Sequence, residues 1–253
     1  MTIRVGVAGA LGRMGSLIAE TVAEAPDVEL VAGYDLFEGE VAGTSVQVDA
    51  ACLADADVVV DFTNPEVVMD NLAKYRDMDC HAVVGTSGFT AERVDSVRGL
   101  WGEERTARCL IVPNFSIGAV LMMRFARAAA GFFAASEVIE LHHDQKADAP
   151  SGTAVSTAVG MAETGGQSRQ VSSAELYAGA LGARVEGVPV HSVRLPGLLA
   201  HQEVLFGNPG EILTIRHDST DRVSFLPGVM LAVRGVSGLE SGVSVGLEVL
   251  LDA

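Results

Sequence analysis

The amino-acid sequence predicts an α/β protein in which a domain built on a parallel sheet precedes an α+β domain with a mixed sheet. Short strand-like runs at residues 3–8, 28–34 and 58–60 alternate with helices, as in parallel sheets with crossover helices. After Pro113 the pattern changes, and strands follow one another across short turns. The length of 253 residues suits one or two domains.

Each element of the first domain has a local reason. Residues 58–60 are three consecutive valines, as expected for a strand buried on both faces. Pro26 ends a helix over residues 16–25, and Pro65 suits the first turn of a helix over residues 65–76. The remaining predicted elements are strands at 81–84 and 109–112 and a helix at 91–101.

The second domain is predicted to mix helices with consecutive strands. Three strand-like runs between residues 184 and 217 are separated by Pro196-Gly197 and by Asn208-Pro209-Gly210, which favours an antiparallel or mixed sheet. The other predicted elements are helices at 119–133, 153–162 and 225–236 and a strand at 137–142.

Composition excludes several classes of function. The formal net charge is −16, and an acidic surface repels phosphate backbones, so no nucleic-acid partner is expected. A site for an anion must then be built locally, from helix N-termini and a few placed cations. The three scattered cysteines match no metal spacing and are expected to be buried, reduced thiols. No apolar run approaches the ~20 residues of a membrane helix, and residues 2–8 form a strand rather than a signal peptide.

A glycine loop stands between the first strand and the first helix. Gly9, Gly12 and Gly15 form G-x-x-G-x-x-G, where the common dinucleotide pattern is G-x-G-x-x-G. Small residues are required where backbone turns tightly and approaches a pyrophosphate, and the helix N-terminus offers N–H groups and a partial positive charge. Glycines also end strands for structural reasons, but the strand–loop–helix context favours a Rossmann-like dinucleotide-binding domain.

Asp35 follows the second strand, 20 residues after Gly15. An acidic residue there accepts hydrogen bonds from the ribose hydroxyls of a dinucleotide, although an aspartate that only serves a turn is the alternative. A carboxylate disfavours a 2′-phosphate, so NADH is favoured over NADPH. Arg13 could reach the adenosine end and tolerate the phosphate, which leaves dual use open.

A second segment concentrates potential cations and hydrogen-bond donors. In chain order these are His142, His143, Lys146, Ser151, Gly152 and Thr153. The backbone N–H groups of Gly152 and Thr153, the Thr153 hydroxyl and a nearby ammonium suit a carboxylate ligand. The alternative is that Ser151 only caps a helix and the histidine pair is a solvated strand end. Adjacent histidines on a strand point to opposite faces, so no metal site is expected.

On these residues the sequence resembles the 4-hydroxy-tetrahydrodipicolinate reductases, formerly called dihydrodipicolinate reductases. The resemblance is an ordered series of motifs that spans nearly the whole chain. The motifs are residues 7–15, 60–63, 85–89, 113–116 and 140–154, then His217-Asp218-Ser219 with Arg222, Phe225 and Gly228. The stretch at 140–154 looks like the family signature and is highly specific.

The resemblance implies reduction of 4-hydroxy-tetrahydrodipicolinate to tetrahydrodipicolinate by hydride from NAD(P)H, in diaminopimelate and lysine synthesis. It implies that His142 is the catalytic acid and Lys146 a second proton donor, and that His143, Gly152 and Thr153 contact the substrate. It further implies a cytoplasmic homotetramer assembled through the sheet of the second domain. Residues 1–115 and 221–253 would form the dinucleotide-binding domain, and residues 116–220 the substrate-binding and tetramerisation domain.

The cofactor site implied by the resemblance takes NADH, NADPH or both. Its residues are Gly9, Ala10, Leu11, Gly12, Arg13, Met14, Asp35, Gly85, Thr86, Ser87, Val112, Pro113, Asn114 and Phe115. Two positions depart from the family pattern. Leu36 stands where many relatives carry an arginine that faces the NADPH phosphate, which weakens an NADPH preference. Ser87 replaces the usual threonine and keeps the hydroxyl.

Two other functions remain open from the sequence. One is a dehydrogenase for another small amino or imino acid on the same two-domain plan, which a substrate panel would distinguish. The other is a nonenzymatic NADH sensor, in which His142 and Lys146 would have no role.

Overall fold

A computed structural model describes residues 2–102, 106–166, 171–240 and 242–251. The chain divides into two compact units. Unit 1 consists of residues 1–115 and 225–253, and unit 2 consists of residues 116–224. The carboxyl-terminal segment therefore returns to the unit that begins the chain.

Strands and helices alternate in unit 1, and strands dominate the later part of unit 2. Over the described residues the strands are β1 (Ile3–Ala8), β2 (Val28–Tyr34), β3 (Gly39–Val41), β4 (Thr44–Gln47), β5 (Val58–Asp61), β6 (His81–Val84), β7 (Cys109–Ile111), β8 (Ala135–His142), β9 (Ala183–Val185), β10 (Val188–Arg194), β11 (Ala200–Asn208), β12 (Glu211–Ser219) and β13 (Val243–Val245). The α-helices are α1 (Arg13–Glu24), α2 (Val68–Asp77), α3 (Ala91–Trp101), α4 (Ile117–Ala130), α5 (Gly152–Glu163) and α6 (Leu226–Gly235). The predicted α/β class is confirmed.

The sheet of unit 1 is parallel except at one edge. Its order over the described residues is β13-β7-β6-β5-β1-β2-β4-β3, and only β3 and β4 pair antiparallel there. The three valines of β5 are at most 1% exposed, which confirms a strand buried on both faces. Because the parallel strands share one direction, the loops after β1, β2, β5, β6 and β7 meet at one edge. Ligands of such sheets bind at this carboxyl edge.

Several predicted elements differ from the observed ones in their bounds or number, and two of the differences have a clear local cause. The helix predicted from Pro65 begins at Val68, because the Asn64 side chain accepts the N–H groups of Glu66 and Val67 and holds a turn before the helix. The sequence predicts three strands between residues 184 and 217, but the structure has four in this region. The additional strand β9 joins β10 through a two-residue turn whose central residues, Glu186 and Gly187, both have positive φ.

The cysteines of unit 1 differ in burial. Cys80 and Cys109 are buried, as predicted, and burial raises the pKa of Cys80 to about 11 and also raises that of Cys109. Cys52 is only partly buried, so the prediction for that residue was wrong. Its thiol lies 3.5 Å from the Gly33 carbonyl oxygen. All three are free thiols.

Unit 2 has a mixed sheet, as predicted. Its order over the described residues is β12-β11-β8-β10-β9, with β8 and β10 parallel and the other pairs antiparallel. Helices α4 and α5 cover one face, where Val138, Val190, Val204 and Phe206 pack against small helical side chains such as Ala126. The even-numbered residues of β8 point to this covered face. The register therefore decides that Glu140 and His142 lie on the helix side of the sheet.

Candidate active site

The glycine loop of unit 1 is as tight as its sequence predicts. Gly9 has φ +79°, and a Cβ there would lie 2.6 Å from the Phe62 carbonyl oxygen. A Cβ at Gly15 would overlap the Gly9 carbonyl oxygen, so α1 can approach the loop only because residue 15 is a glycine. Gly12 is the N-cap of α1 and provides no side-chain cap. The first N–H groups of this helix can thus serve an anionic ligand.

Asp35 lies directly against the glycine loop. Its carboxylate accepts the N–H of Leu11 at 2.8 Å and that of Leu36 at 2.7 Å. Leu36, the next residue, is exposed, and so is Arg13, the first residue of α1. The structure therefore brings two predicted features together, the glycine loop and the acidic residue.

A buried aspartate, Asp61, organises the loops that follow β5 and β6. It is fully buried and accepts the hydroxyls of Thr63 at 2.7 Å, Tyr75 at 2.8 Å and Thr86 at 2.8 Å. The Asn71 amide donates from 3.3 Å. Burial, and secondly the charge of Asp61, raises the pKa of Tyr75 well above its ordinary value, so the phenol remains a donor. We call these five residues the Asp61 cluster.

The predicted nicotinamide residues are carried by the same sheet edge. A Cβ at Gly85 would overlap the Phe62 ring, which lies 5.3 Å, centroid to centroid, from the ring of Phe115. Thr86 is held by Asp61, while Ser87 is exposed. The remaining residues follow β7 directly: they are Val112, Pro113 and Asn114. In the sequence, Asp61 and Phe62 stand out only as parts of a motif. The signal that marks them is their place at the carboxyl end of a buried strand.

In unit 2 a buried carboxylate holds the ring of His142. Glu140 and His142 are two positions apart on β8, so their side chains share a face. Glu140 is fully buried, and its Oε2 lies 2.5 Å from Nδ1 of His142. Arg194 pairs with His142 in the β8–β10 register and donates both terminal nitrogens to Glu140, at 2.8 Å each. The Ser151 N–H donates to the other carboxylate oxygen from 3.2 Å. These four residues are the Glu140 cluster.

Glu140 and Arg194 have no role predicted from the sequence. Glu140 could have been found from its spacing of two residues from His142 on a predicted strand. Arg194 could not, because its position depends on the parallel pairing of β8 with β10, which are far apart in sequence.

The environment of the Glu140 cluster keeps the carboxyl group ionised. Burial works to raise the pKa of Glu140, but hydrogen bonds from Arg194, Ser192 and His142 outweigh it and lower the pKa. Burial is the largest influence on His142 and lowers its pKa, while Glu140 acts in the opposite direction. Lys146 and Arg194 add to the lowering. At neutral pH Glu140 is therefore a carboxylate, and the His142 ring is mostly neutral.

Lys146 lies in the turn after β8 and is held by a carboxylate. Its Nζ lies 2.6 Å from Oδ1 of Asp148, and its N–H donates to the His143 carbonyl oxygen at 3.2 Å. The hydrogen bond from Lys146 lowers the pKa of Asp148, whose side chain is 57% exposed. An exposed pair of this kind is weak, so the ammonium can exchange to another carboxylate. Arg194 also donates to the Asp148 carbonyl oxygen, which ties this turn to the Glu140 cluster.

The predicted substrate contacts lie at the start of α5 and at the end of β8. Ser151 caps α5 through its side chain, which accepts the N–H of Ala154 at 3.2 Å. Gly152 is exposed, and a Cβ there would meet no heavy atom within 4 Å. Thr153 is half-buried on the first turn, and His143 is half-buried just after β8. The cap is thus real, and it leaves the space beside Gly152 open to a ligand.

The described residues offer neither a metal site nor a membrane-spanning helix. No group of three or more His, Cys, Asp and Glu side chains in those ranges is placed to hold a metal ion. Nor does any helix of the described chain have the length and apolar character needed to cross a membrane.

The fold and these residues define an oxidoreductase of the nicotinamide-dependent class, with a Rossmann-like unit and a mixed-sheet unit. Comparison with known families makes the class specific: the family "Dihydrodipicolinate reductase, N-terminus" matches residues 3–115, and "Dihydrodipicolinate reductase, C-terminus" matches residues 118–251. The chain belongs to the dihydrodipicolinate reductase family, which confirms the resemblance.

Individual relatives are similar over their full length. The 4-hydroxy-tetrahydrodipicolinate reductase of Nocardia farcinica is 54% identical over 257 aligned residues, covering 100% of both chains. That of Mycolicibacterium smegmatis is 52% identical, with 99% of each chain covered. A solved structure, dipicolinate-bound dihydrodipicolinate reductase from Paenisporosarcina sp. TG-14, has a TM-score of 0.87 at 39% identity and covers 98% of this chain and 99% of its own. Both units are therefore shared with these reductases.

Proposed function

We propose that this chain reduces 4-hydroxy-tetrahydrodipicolinate to tetrahydrodipicolinate, in the synthesis of diaminopimelate and lysine. The observation that carries the proposal is the His142 ring, held by a buried carboxylate beside the exchangeable ammonium of Lys146. The solved relative is bound to dipicolinate, a ring with two carboxylates. Lys146 and the start of α5 offer partners for such groups.

Proton delivery is the task we assign to His142. Loss of water from the substrate leaves a C=C bond conjugated with C=N, and hydride addition at C4 drives negative charge toward C3 and the ring nitrogen. The His142 ring then donates a proton. A bound dicarboxylate adds two negative charges near the ring and so raises the pKa of His142, which favours the protonated form when substrate is present.

The other substrate contacts follow from charge and exposure. Lys146 exchanges from Asp148 to a substrate carboxylate or stabilises the anion that forms after hydride addition. Gly152 and Thr153 offer the first N–H groups of α5. His143, directly after β8, is proposed as a further donor to the substrate.

NADH and NADPH are the cofactors proposed for unit 1, with NADH favoured or both used. Either one supplies a hydride when bound. The glycine loop suits a pyrophosphate, because the absence of a Cβ at Gly9 and at Gly15 lets the loop turn tightly against the start of α1. The N–H groups there are the ones that a pyrophosphate needs. Ala10, Leu11, Gly12, Arg13 and Met14 complete this loop, and Asp35 faces the ribose. Leu36 offers no charge to a 2′-phosphate, whereas the exposed Arg13 does. For the nicotinamide end we propose Gly85, Thr86, Ser87 and the residues from Val112 to Phe115.

We assign residues 1–115 and 221–253 to dinucleotide binding, and residues 116–220 to substrate binding and tetramerisation. The face of the unit 2 sheet opposite α4 and α5 supports a homotetramer, since partly or largely exposed aliphatic side chains follow one another across it: Ile139, Leu141, Val193, Leu205 and Ile212. The three free thiols support a reducing, cytoplasmic location.

The decisive experiment follows nicotinamide absorbance when the full chain meets freshly made 4-hydroxy-tetrahydrodipicolinate, with NADH and NADPH in parallel. We expect turnover with both cofactors, and faster turnover with NADH. Failure to turn over this substrate, in protein that still binds NADH, would refute the proposal. A panel of amino and imino acids, run with the same preparation, then separates a different dehydrogenase from a nonenzymatic sensor.

A further inference from the structure

We propose that Glu140 is the positioning residue of His142: it fixes Nδ1 as the permanently protonated nitrogen and leaves Nε2 to exchange the proton of the reaction, while Arg194 balances the carboxylate charge. This inference rests on the proposed function only where it names the proton as catalytic. The arrangement of the ring is a property of the protein itself.

The sheet register places the three side chains without help from the loops. His142 and Glu140 share the helix-covered face of β8, and Arg194 lies opposite His142 on the parallel neighbour β10. The backbone also links these strands beyond their ends, because the N–H of Leu195 donates to the His142 carbonyl oxygen at 3.1 Å. The ring is therefore anchored to paired strands of the unit 2 sheet and not to a loop.

The carboxylate of Glu140 is fully used as an acceptor. One oxygen receives His142 Nδ1 and one Arg194 nitrogen, and the other receives the second Arg194 nitrogen and the Ser151 N–H. An arginine is always protonated, and a carboxylate has no proton to donate. The proton shared between Glu140 and His142 must then sit on Nδ1. In the neutral ring Nε2 carries the lone pair, and only the imidazolium has a proton there to give.

Arg194 distinguishes this arrangement from a plain His–carboxylate pair. The Glu140–Arg194 pair has no net charge, so the carboxylate orients the ring strongly but stabilises the imidazolium only in part. The other charged group that acts on the ring is Lys146, which is itself paired with Asp148. Removing Glu140 should therefore lower the pKa of His142, and removing Arg194 should raise it, although both changes break the same cluster.

The test compares the pH dependence of kcat in Glu140→Gln and Arg194→Gln. A general acid must be protonated, so kcat falls as pH rises through the pKa of His142 in the complex. In Glu140→Gln, which loses the negative charge, we expect this fall at lower pH and kcat reduced about 10- to 100-fold. In Arg194→Gln, which loses a positive charge, we expect it at higher pH.

Matched controls exist in the same unit. Glu137→Gln removes a carboxylate that pairs with His191 at 2.8 Å and lies on the opposite face of β8. Arg184→Gln removes an arginine that donates to the Gly187 carbonyl oxygen on the β9–β10 turn. Neither control should move the pH profile. Shifts of the two test variants in one direction, or no shift in either, would overturn the proposal.

A second measurement needs neither substrate nor turnover. Nitrogen NMR of the histidine-labelled full chain, with the His142 signal assigned by its loss in His142→Gln, reports which ring nitrogen carries the proton. We expect the Nδ1–H form in the wild type and its partial loss in Glu140→Gln. An Nε2–H ring in the wild type would overturn the proposal. Inactive protein with the expected ring would instead refute only the proposed reaction.

Discussion

Asp61 in unit 1 and Glu140 in unit 2 are both fully buried carboxylates beside predicted site residues, but their partners differ in kind. Asp61 is held by neutral donors, chiefly the hydroxyls of Tyr75 and Thr86. Glu140 is held by a guanidinium and an imidazole. Both carboxylates satisfy their acceptors, as burial requires, yet only the second is bonded to a group that titrates near neutral pH.

The difference separates rigidity from proton exchange. The donors to Asp61 keep their charge between about pH 5 and 9, so the loops that they hold should keep their shape over that range. The donors to Glu140 include the His142 ring, which changes its charge within that pH range. We therefore expect cofactor binding to vary little with pH and turnover to vary strongly.

The largest effect is expected at His142 and Lys146 in unit 2. His142→Ala and Lys146→Ala should each lower kcat about 100- to 10,000-fold. The first loses the proton donor, and the second loses the cation proposed to hold the substrate or the anion formed from it. Affinity for NADH should remain, since neither side chain belongs to unit 1. Steady-state kinetics combined with NADH fluorescence titration measures both quantities. Loss of NADH binding in either variant would contradict the division of roles between the units.

A smaller effect is expected at the neutral cluster. Asp61→Asn keeps the volume but places an amide against several donors, so at least one loses its acceptor, at a cost of about 1–3 kcal/mol in the free energy of unfolding. Released Thr86 should raise KM for NADH while the pH profile of kcat keeps its position. Urea unfolding and kinetics test both statements.

Asp57→Asn is the matched control for Asp61→Asn. Asp57 lies just before β5, whereas Asp61 is the last residue of that strand. Asp57 is exposed, and its side chain accepts the Arg4 N–H at 2.8 Å. Asp57→Asn should lower the free energy of unfolding much less than Asp61→Asn does, and it should leave KM for NADH unchanged. Equal losses in the two variants would show that burial of Asp61 contributes nothing special.

Local signals predicted much of this molecule. Three consecutive valines mark β5, and the glycine loop marks the start of α1. The short strands of unit 1 were not predicted, because β3 and β4 meet at Ala42-Gly43, a turn with positive φ at both residues but without the usual Asn or Asp. The strand β13 has three residues and gains its identity from pairing with β7.

The site shows the same limit. His142 stands out in the sequence because its neighbours carry chemistry in an ordered motif. Arg194 does not, because a lone arginine at a strand end is usually solvated, and only its cross-strand pairing reveals its contact with Glu140. Contacts that depend on register between distant strands are the ones that sequence patterns of period two cannot supply.

The smallest effect sharpens the comparison within unit 1. Leu36 is 67% exposed, and its N–H donates to Asp35, so a longer side chain at position 36 can project into solvent without disturbing the Asp35 carboxylate. Leu36→Arg should raise the ratio of kcat/KM for NADPH to that for NADH about tenfold, since a charge-assisted contact to phosphate contributes roughly 1.5–3 kcal/mol, part of which solvent exposure removes. Leu36→Gln, of similar length and no charge, is the control. A ratio unchanged in Leu36→Arg would place phosphate recognition on Arg13 alone, and Arg13→Gln would then abolish NADPH use in both backgrounds.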